Sequence, residues 1–133
     1  MKAAPRARCD EGLEAEYYFM QLMEDKKLLV AKIDSYYDLQ VNGVPVEVKS
    51  TMASIRSNRG RYTVGRFDFT DKDARERIAA ENIWVCLILR SSSCCMVYGF
   101  LEGNRINQRQ LSIHQAHKLK PLSLDAWLQK VRP

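Results

Sequence analysis

Two carboxylates and a lysine gather around an Asn-Gly pair: Asp38 in YYDLQV, and Glu47 and Lys49 in VPVEVKS. Asn42-Gly43 is the dipeptide that most readily supplies the two positive φ angles of a type I′ hairpin turn, and period-two alternation flanks it on both sides. With Asn42 and Gly43 as the loop, Val41 pairs with Val44, Asp38 falls opposite Glu47, and Tyr36 falls opposite Lys49. Like charges opposed on a sheet repel, so this pairing has a cost unless a cation lies between or beside them. Magnesium is the simplest candidate: it accepts one or two carboxylates and keeps several waters, as hydrolysis of a phosphodiester requires. Lys49, two residues beyond Glu47 on the same face, can orient or deprotonate a water and stabilise charge developing on phosphate. The competing reading is a salt-bridged solvent face on an ordinary hairpin.

These residues need elements to position them. The same counting sends Tyr37, Leu39, Val41, Val44, Val46 and Val48 to a core face, and Tyr36, Asp38, Gln40, Pro45, Glu47 and Lys49 to the other. Asp34 and Ser35 lie just upstream, but only Asp38 fits the register opposite Glu47. Before the hairpin, DEGLEAEYYFMQLMEDKK predicts a helix, with Leu13, Phe19, Met20 and Met23 at the three-and-four spacing. Glu16 falls in the middle of that apolar stripe, whereas Glu11 and Glu14 point away. A carboxylate there calls for a buried partner, which a metal site or Lys49 on the sheet beneath would provide. The alternative is a Glu16 that reaches solvent at the helix edge.

Beyond the hairpin, SIRSNRGRYTVGRFDF predicts one or two strands around a Ser57-Asn58-Arg59-Gly60 turn. Thr70 is the expected cap of a surface helix in DKDARERIAA, with Asp73 completing a weak capping box. IWVCLIL is apolar on both faces, as a central strand covered on each side must be, and CCMVYGFL reads as its neighbour. INQRQLSIHQAHKLK and SLDAWLQKV predict two short helices, the second capped by Ser123.

With 133 residues and 46% apolar composition, the chain is long enough for one core and short for two. The expectation is a single α/β domain over 1–133, a sandwich around a mixed sheet, with residues 1–10 flexible. Lysine and arginine number 21 against 16 acidic residues, and the formal charge of +5 favours a polyanionic partner without identifying it. Four cysteines show neither zinc-site spacing nor the density of a disulfide scaffold, so reduced thiols are expected. No run reaches the roughly 18 apolar residues of a membrane span. An unexported protein of the cytoplasm or nucleoid, with no membrane partner, is the expectation.

An acidic residue in an N-terminal GLEAE helix, then Asp in a strand, then EVKS resembles the PD-(D/E)XK, or restriction-endonuclease-like, nuclease superfamily. Within it the archaeal Holliday junction resolvase branch is the most similar. The resemblance covers residues 11 to about 51 well, and the following helix and apolar strand more loosely. It implies a three-layer sandwich with a central mixed sheet flanked by helices. It implies Asp38, Glu47 and the Val48 carbonyl as metal ligands, Lys49 as the catalytic lysine and Glu16 as the helical acid. The implied activity is magnesium-dependent DNA endonuclease cleavage, with manganese able to substitute, on DNA that includes branched junctions, by a homodimer serving recombination or repair.

Arg56, Arg59, Arg61 and Arg66 follow the lysine motif with Tyr62 and Phe67 interleaved, a pattern that fits a phosphate-tracking surface. A solvated charged loop is the alternative. His114 and His117 lack the companions of a metal site and read as surface residues. Cys94-Cys95 is expected to pack rather than bridge, and the strand they open, to Leu101, is a candidate dimer edge. Two other classes stand beside the nuclease. One is a nuclease-like domain that binds nucleic acid or assembles without cutting, and the other is a basic α/β domain with a protein partner.

Overall fold

The computed structural model describes residues 11–35, 37–56, 60–91 and 94–132. Residues 1–10, expected to be flexible, lie outside the described residues, as do Tyr36 and the 57–59 part of the expected turn. The chain runs α1 (Glu11–Asp25), β1 (Val30–Lys32), β2 (Leu39–Val41), β3 (Val44–Met52), β4 (Ser54–Arg56), β5 (Tyr62–Val64), β6 (Arg66–Asp68), α2 (Lys72–Ala80), β7 (Trp84–Arg90), β8 (Cys95–Leu101), β9 (Gln110–Ser112), α3 (Ile113–Lys118) and α4 (Leu124–Val131). Five strands form the central sheet in the order β1-β2-β3-β7-β8, while β4-β5 and β6-β9 form separate two-stranded ribbons. Only the β3-β7 pairing is parallel; the other pairings of the central sheet are antiparallel.

Asn42 and Gly43 hold φ of 51° and 81°, the two positive angles the hairpin turn requires. Asn42 also ties the turn down: its N–H donates to the Leu29 carbonyl at 2.7 Å, its Oδ1 accepts from the Leu29 N–H at 3.0 Å, and its Nδ2 donates to the Val131 carbonyl at 3.3 Å. The register that follows pairs Val41 with Val44 and Leu39 with Val46, as the turn chemistry predicts.

Alternation on β7 separates two cores, as expected of a strand apolar on both faces. Cys86 and Ile88 join Val46, Val48, Leu39 and Val41 beneath α1 (Ala15, Phe19, Met23) and α4 (Trp127, Leu128, Val131). Val85 and Leu87 face the other way, onto Phe67, Phe69, Ile78 of α2, Leu111 and Ala116 of α3. The protein is therefore a mixed α/β fold with helices on both faces of the sheet. Trp127 and Phe100 stack with centroids 4.1 Å apart and planes 4° from parallel, pinning α4 to β8. Such a pair adds about 1 kcal/mol beyond its burial.

Several expectations are corrected. The first hairpin strand is shorter than YYDLQV, and the strand β1 that pairs with it carries no sequence signal because it is three residues long and mostly exposed. Tyr37 does not join the Leu39 face. It packs with the Phe67 cluster and its hydroxyl accepts from Gln40 Nε2 at 2.9 Å, since alternation holds only within a paired strand. The segment with one or two expected strands yields three. Asp71, not Thr70, caps α2 by accepting from the Ala74 N–H at 3.2 Å; Thr70 is bonded to Asp68 instead. The expected helix over INQRQLSIHQAHKLK is a strand followed by a shorter helix, because Ser112 and Gln115 form a capping box that starts α3 late. Ser123 caps α4 as expected.

The turn from β5 into β6 crosses β3 closely at Gly65. A Cβ there would overlap the Met52 carbonyl oxygen and sit 2.5 Å from Thr51 Oγ1. Gly65→Ala should therefore cost about 3 kcal/mol, the upper end of overpacking penalties, since a strand backbone cannot step aside. Urea midpoints of the two proteins check this, and an unchanged midpoint would refute so tight a crossing.

Candidate metal and phosphodiester site

Asp38, Glu47 and Lys49 converge at the mouth of a cavity of about 890 Å³, which Ser35 and α2 complete. Asp38 sits one residue before β2. Its N–H donates to the Val46 carbonyl at 3.3 Å and its Oδ2 accepts from the Val48 N–H at 2.8 Å. The carboxylate is thus fastened across the hairpin by backbone, close against Glu47.

Glu47 is 8% exposed, on the central strand of a sheet covered on both faces. One carboxylate oxygen, Oε2, lies 3.3 Å from Lys49 Nζ. The other, Oε1, is buried with no hydrogen-bond partner. Burial, and then the negative charge of Asp38, push the Glu47 carboxyl up to about 8, with Lys49 pulling the other way. An unpaired oxygen beside a second carboxylate marks a place where positive charge is lacking.

Lys49 is held at two points. Besides Glu47, its ammonium lies 5.2 Å from the centroid of the Phe69 ring. Phe69 is 2% exposed and fixed at both backbone atoms: its N–H donates to the Arg109 carbonyl at 2.7 Å and its carbonyl accepts from Arg75 Nη1 at 2.7 Å. The ring therefore forms a rigid floor under the lysine ammonium. Sequence reasoning did not find Phe69, because it lies 20 positions along the chain and nothing in RFDF marks the second aromatic ring as a neighbour of Lys49.

Glu16 stands apart from this cluster. It is half-buried on α1, as its place on the helix stripe predicts, and its Oε1 lies 3.9 Å from Lys32 of β1 rather than pairing with Lys49. Burial and the Asp38 charge raise its carboxyl, and Lys32 opposes them. Its electrostatic tie to the site is through Asp38, and it does not line the cavity.

Of the four arginines expected to track phosphate, Arg61 and Arg66 are exposed and outside the cavity walls. Arg59 and the side chain of Arg56 lie outside the described residues. The cavity lining carries a feature sequence reasoning passed over: α2 contributes Asp73, Glu76 and Arg77, with Glu81 just past its end. His114 and His117 are exposed, and His117 Nδ1 meets the Tyr98 hydroxyl at 3.4 Å. Among the described residues, no disulfide joins Cys86, Cys94 and Cys95. No described helix is long and apolar enough to cross a membrane.

Among the described residues, no three His, Cys, Asp or Glu side chains converge as a metal cage. What the hairpin offers is two hard carboxylates and adjoining backbone, which suits magnesium, content to keep waters, and does not suit a structural zinc ion. Comparisons with protein-family models, with curated proteins and with solved structures find no match.

Proposed function

We propose that this chain is a divalent-metal-dependent DNA endonuclease with the restriction-endonuclease-like, PD-(D/E)XK arrangement. The observation that carries the reading is the buried, unpartnered Glu47 Oε1, set beside Asp38 and on the same strand face as Lys49 at an open cavity. Without a cation the pair is relieved only by holding a proton, which the raised Glu47 carboxyl reflects, whereas a cation there removes the repulsion and the unmet bond together with both carboxylates ionised.

Asp38, Glu47 and the Val48 carbonyl would hold magnesium, or manganese in its place. Bound there, the ion supplies Lewis acidity and neutralises negative charge on the phosphodiester. Lys49 then donates to a non-bridging phosphate oxygen and to the attacking water, fixing the line of approach and stabilising charge as it builds. Glu47 and the Phe69 ring keep the ammonium from wandering, so its alignment costs little on reaching the transition state. Glu16 acts at a distance, adding negative potential behind Asp38.

Cleavage of labelled four-way junction, linear duplex and single-stranded DNA, each with magnesium, manganese or EDTA, tests the reading. The junction belongs in the set because GLEAE and EVKS resemble the junction-resolving branch. A homodimer is part of the same proposal. Its candidate edge is β8, uncharged throughout with Met96 55% exposed, and a monomeric mass in solution would remove it. Metal-dependent cutting is the expected result. Salt-sensitive DNA binding with no cutting on any substrate would replace the nuclease with a non-catalytic nucleic-acid module.

A further inference from the structure

The groove beside the lysine floor points to a second element of substrate recognition, resting on the nuclease reading. We propose that the groove of about 600 Å³ lined by Thr70, Gln108, Arg109 and Gln110 is the subsite that grips the nucleic acid next to the reactive phosphodiester. Arg109 would take a backbone phosphate, and the two glutamines would bond to flanking base edges.

Position comes first. The groove is built on the β6-β9 ribbon, where Asp68 pairs with Gln110 and Phe67 with Leu111. Phe69, the next residue after this ribbon strand, bonds the Arg109 carbonyl and carries Lys49 on its ring. A single covalent and hydrogen-bonded step therefore links the groove to the lysine. On this proposal, nucleic acid gripped in the groove continues past Phe69 towards the lysine.

Charge then favours the groove over the cavity walls. The cavity at Glu47 is lined by Asp71, Asp73 and Glu76, with Glu81 just past α2, against Lys49 and Arg77, an acidic balance that disfavours extended polyanion contact there. On the ribbon side, Arg66 Nη1 meets Gln110 Oε1 at 3.5 Å, which places a second guanidinium next to the groove. The Arg109 side chain is exposed and makes no hydrogen bond or ion pair among the described residues, so its charge is available to a ligand. Arginine matches a phosphate with two parallel bonds, and glutamine amides offer donor and acceptor to sugars and base edges. The alternation of Gln, Arg and Gln in NQRQ carried no functional signal in the sequence, since it reads as a polar helix.

The Arg109 tie to Phe69 uses its backbone carbonyl, so Arg109→Gln removes the charge and leaves the lysine floor in place. Affinity for a fluorescent DNA duplex and a four-way junction is measured by anisotropy in EDTA across a salt series. Lys130→Gln on α4, in the opposite layer, serves as a control for net charge. For Arg109→Gln the expected result is binding about tenfold weaker and a slope of log affinity against log salt shallower by about one. The control should keep the wild-type slope. Wild-type affinity and slope in Arg109→Gln, with cleavage by the wild type intact, would overturn the subsite and leave the nuclease standing. A wild type that neither binds nor cuts DNA would overturn both.

Discussion

Replacing Lys49 by methionine should lower the DNA cleavage rate by about 10²- to 10⁴-fold at saturating DNA and metal, the range for removing one group that moves protons or stabilises charge in the transition state. Methionine keeps an apolar stem on the Phe69 ring, so the floor of the site stays filled and the loss reports the ammonium. DNA affinity in EDTA should fall by less than about tenfold, since one phosphate contact among several is lost. Single-turnover cleavage and anisotropy measured on the same preparation separate the two effects. Equal cleavage by the variant and the wild type would remove Lys49 from the chemistry and with it the site assignment.

Without a divalent ion, the protein should lose stability as pH rises, and Glu47→Gln should abolish most of that loss. The Glu47 carboxyl is raised in the fold from an ordinary value of 4.5 to about 8. A raised carboxyl favours the fold in its protonated form. That contribution is complete below the unfolded value and disappears as pH climbs through the folded one. With about 1.4 kcal/mol for each pH unit between the two values, the loss from pH 6 to pH 9 is on the order of 3 kcal/mol. Urea unfolding in EDTA at several pH values reads it directly. Glutamine keeps the shape and carries no charge, so the variant should be the more stable protein at pH 9 and show a much flatter profile. The remaining slope belongs to Glu16, raised in the same direction by burial and by Asp38. Magnesium at saturation should flatten the wild-type profile, because it favours the ionised carboxylate that protonation otherwise relieves. A wild-type profile equally steep with and without magnesium would argue against a cation at Glu47.

The two experiments bear on one conflict. The hairpin forces Asp38 and Glu47 together at a cost to stability, and the same crowding prepares the site for a cation. Glu47→Gln should relieve the first and remove the second, giving a sturdier protein that does not cut DNA.

Local chemistry made the hairpin legible. Asn42-Gly43 sets the turn, the turn sets the register, and the register puts Asp38 beside Glu47 with Lys49 two residues on. The apolar run in β7 likewise announced a strand covered on both faces, because no other burial suits seven residues with so few polar atoms. These features depend on φ preference and period, which a short stretch of sequence contains in full.

The remainder depended on contacts between distant residues. Tyr37 left the face its parity assigned, because a neighbouring cluster across the sheet could bury its ring. Residues 106–112 became a crossing loop and a strand, because β6 needed a partner and a capping box further on offered α3 a better start. Glu16 found Lys32, a residue on a three-residue edge strand with no pattern of its own. Phe69 came to lie under Lys49, and Arg109 came to hold Phe69, only after both chain segments packed on the same face of the sheet. The sequence by itself determined which groups could do chemistry and their pairing across one turn. Tertiary packing decided how deeply Glu47 is buried, what supports Lys49 and which acidic groups line the cavity, because burial and electrostatic potential are sums over the whole fold.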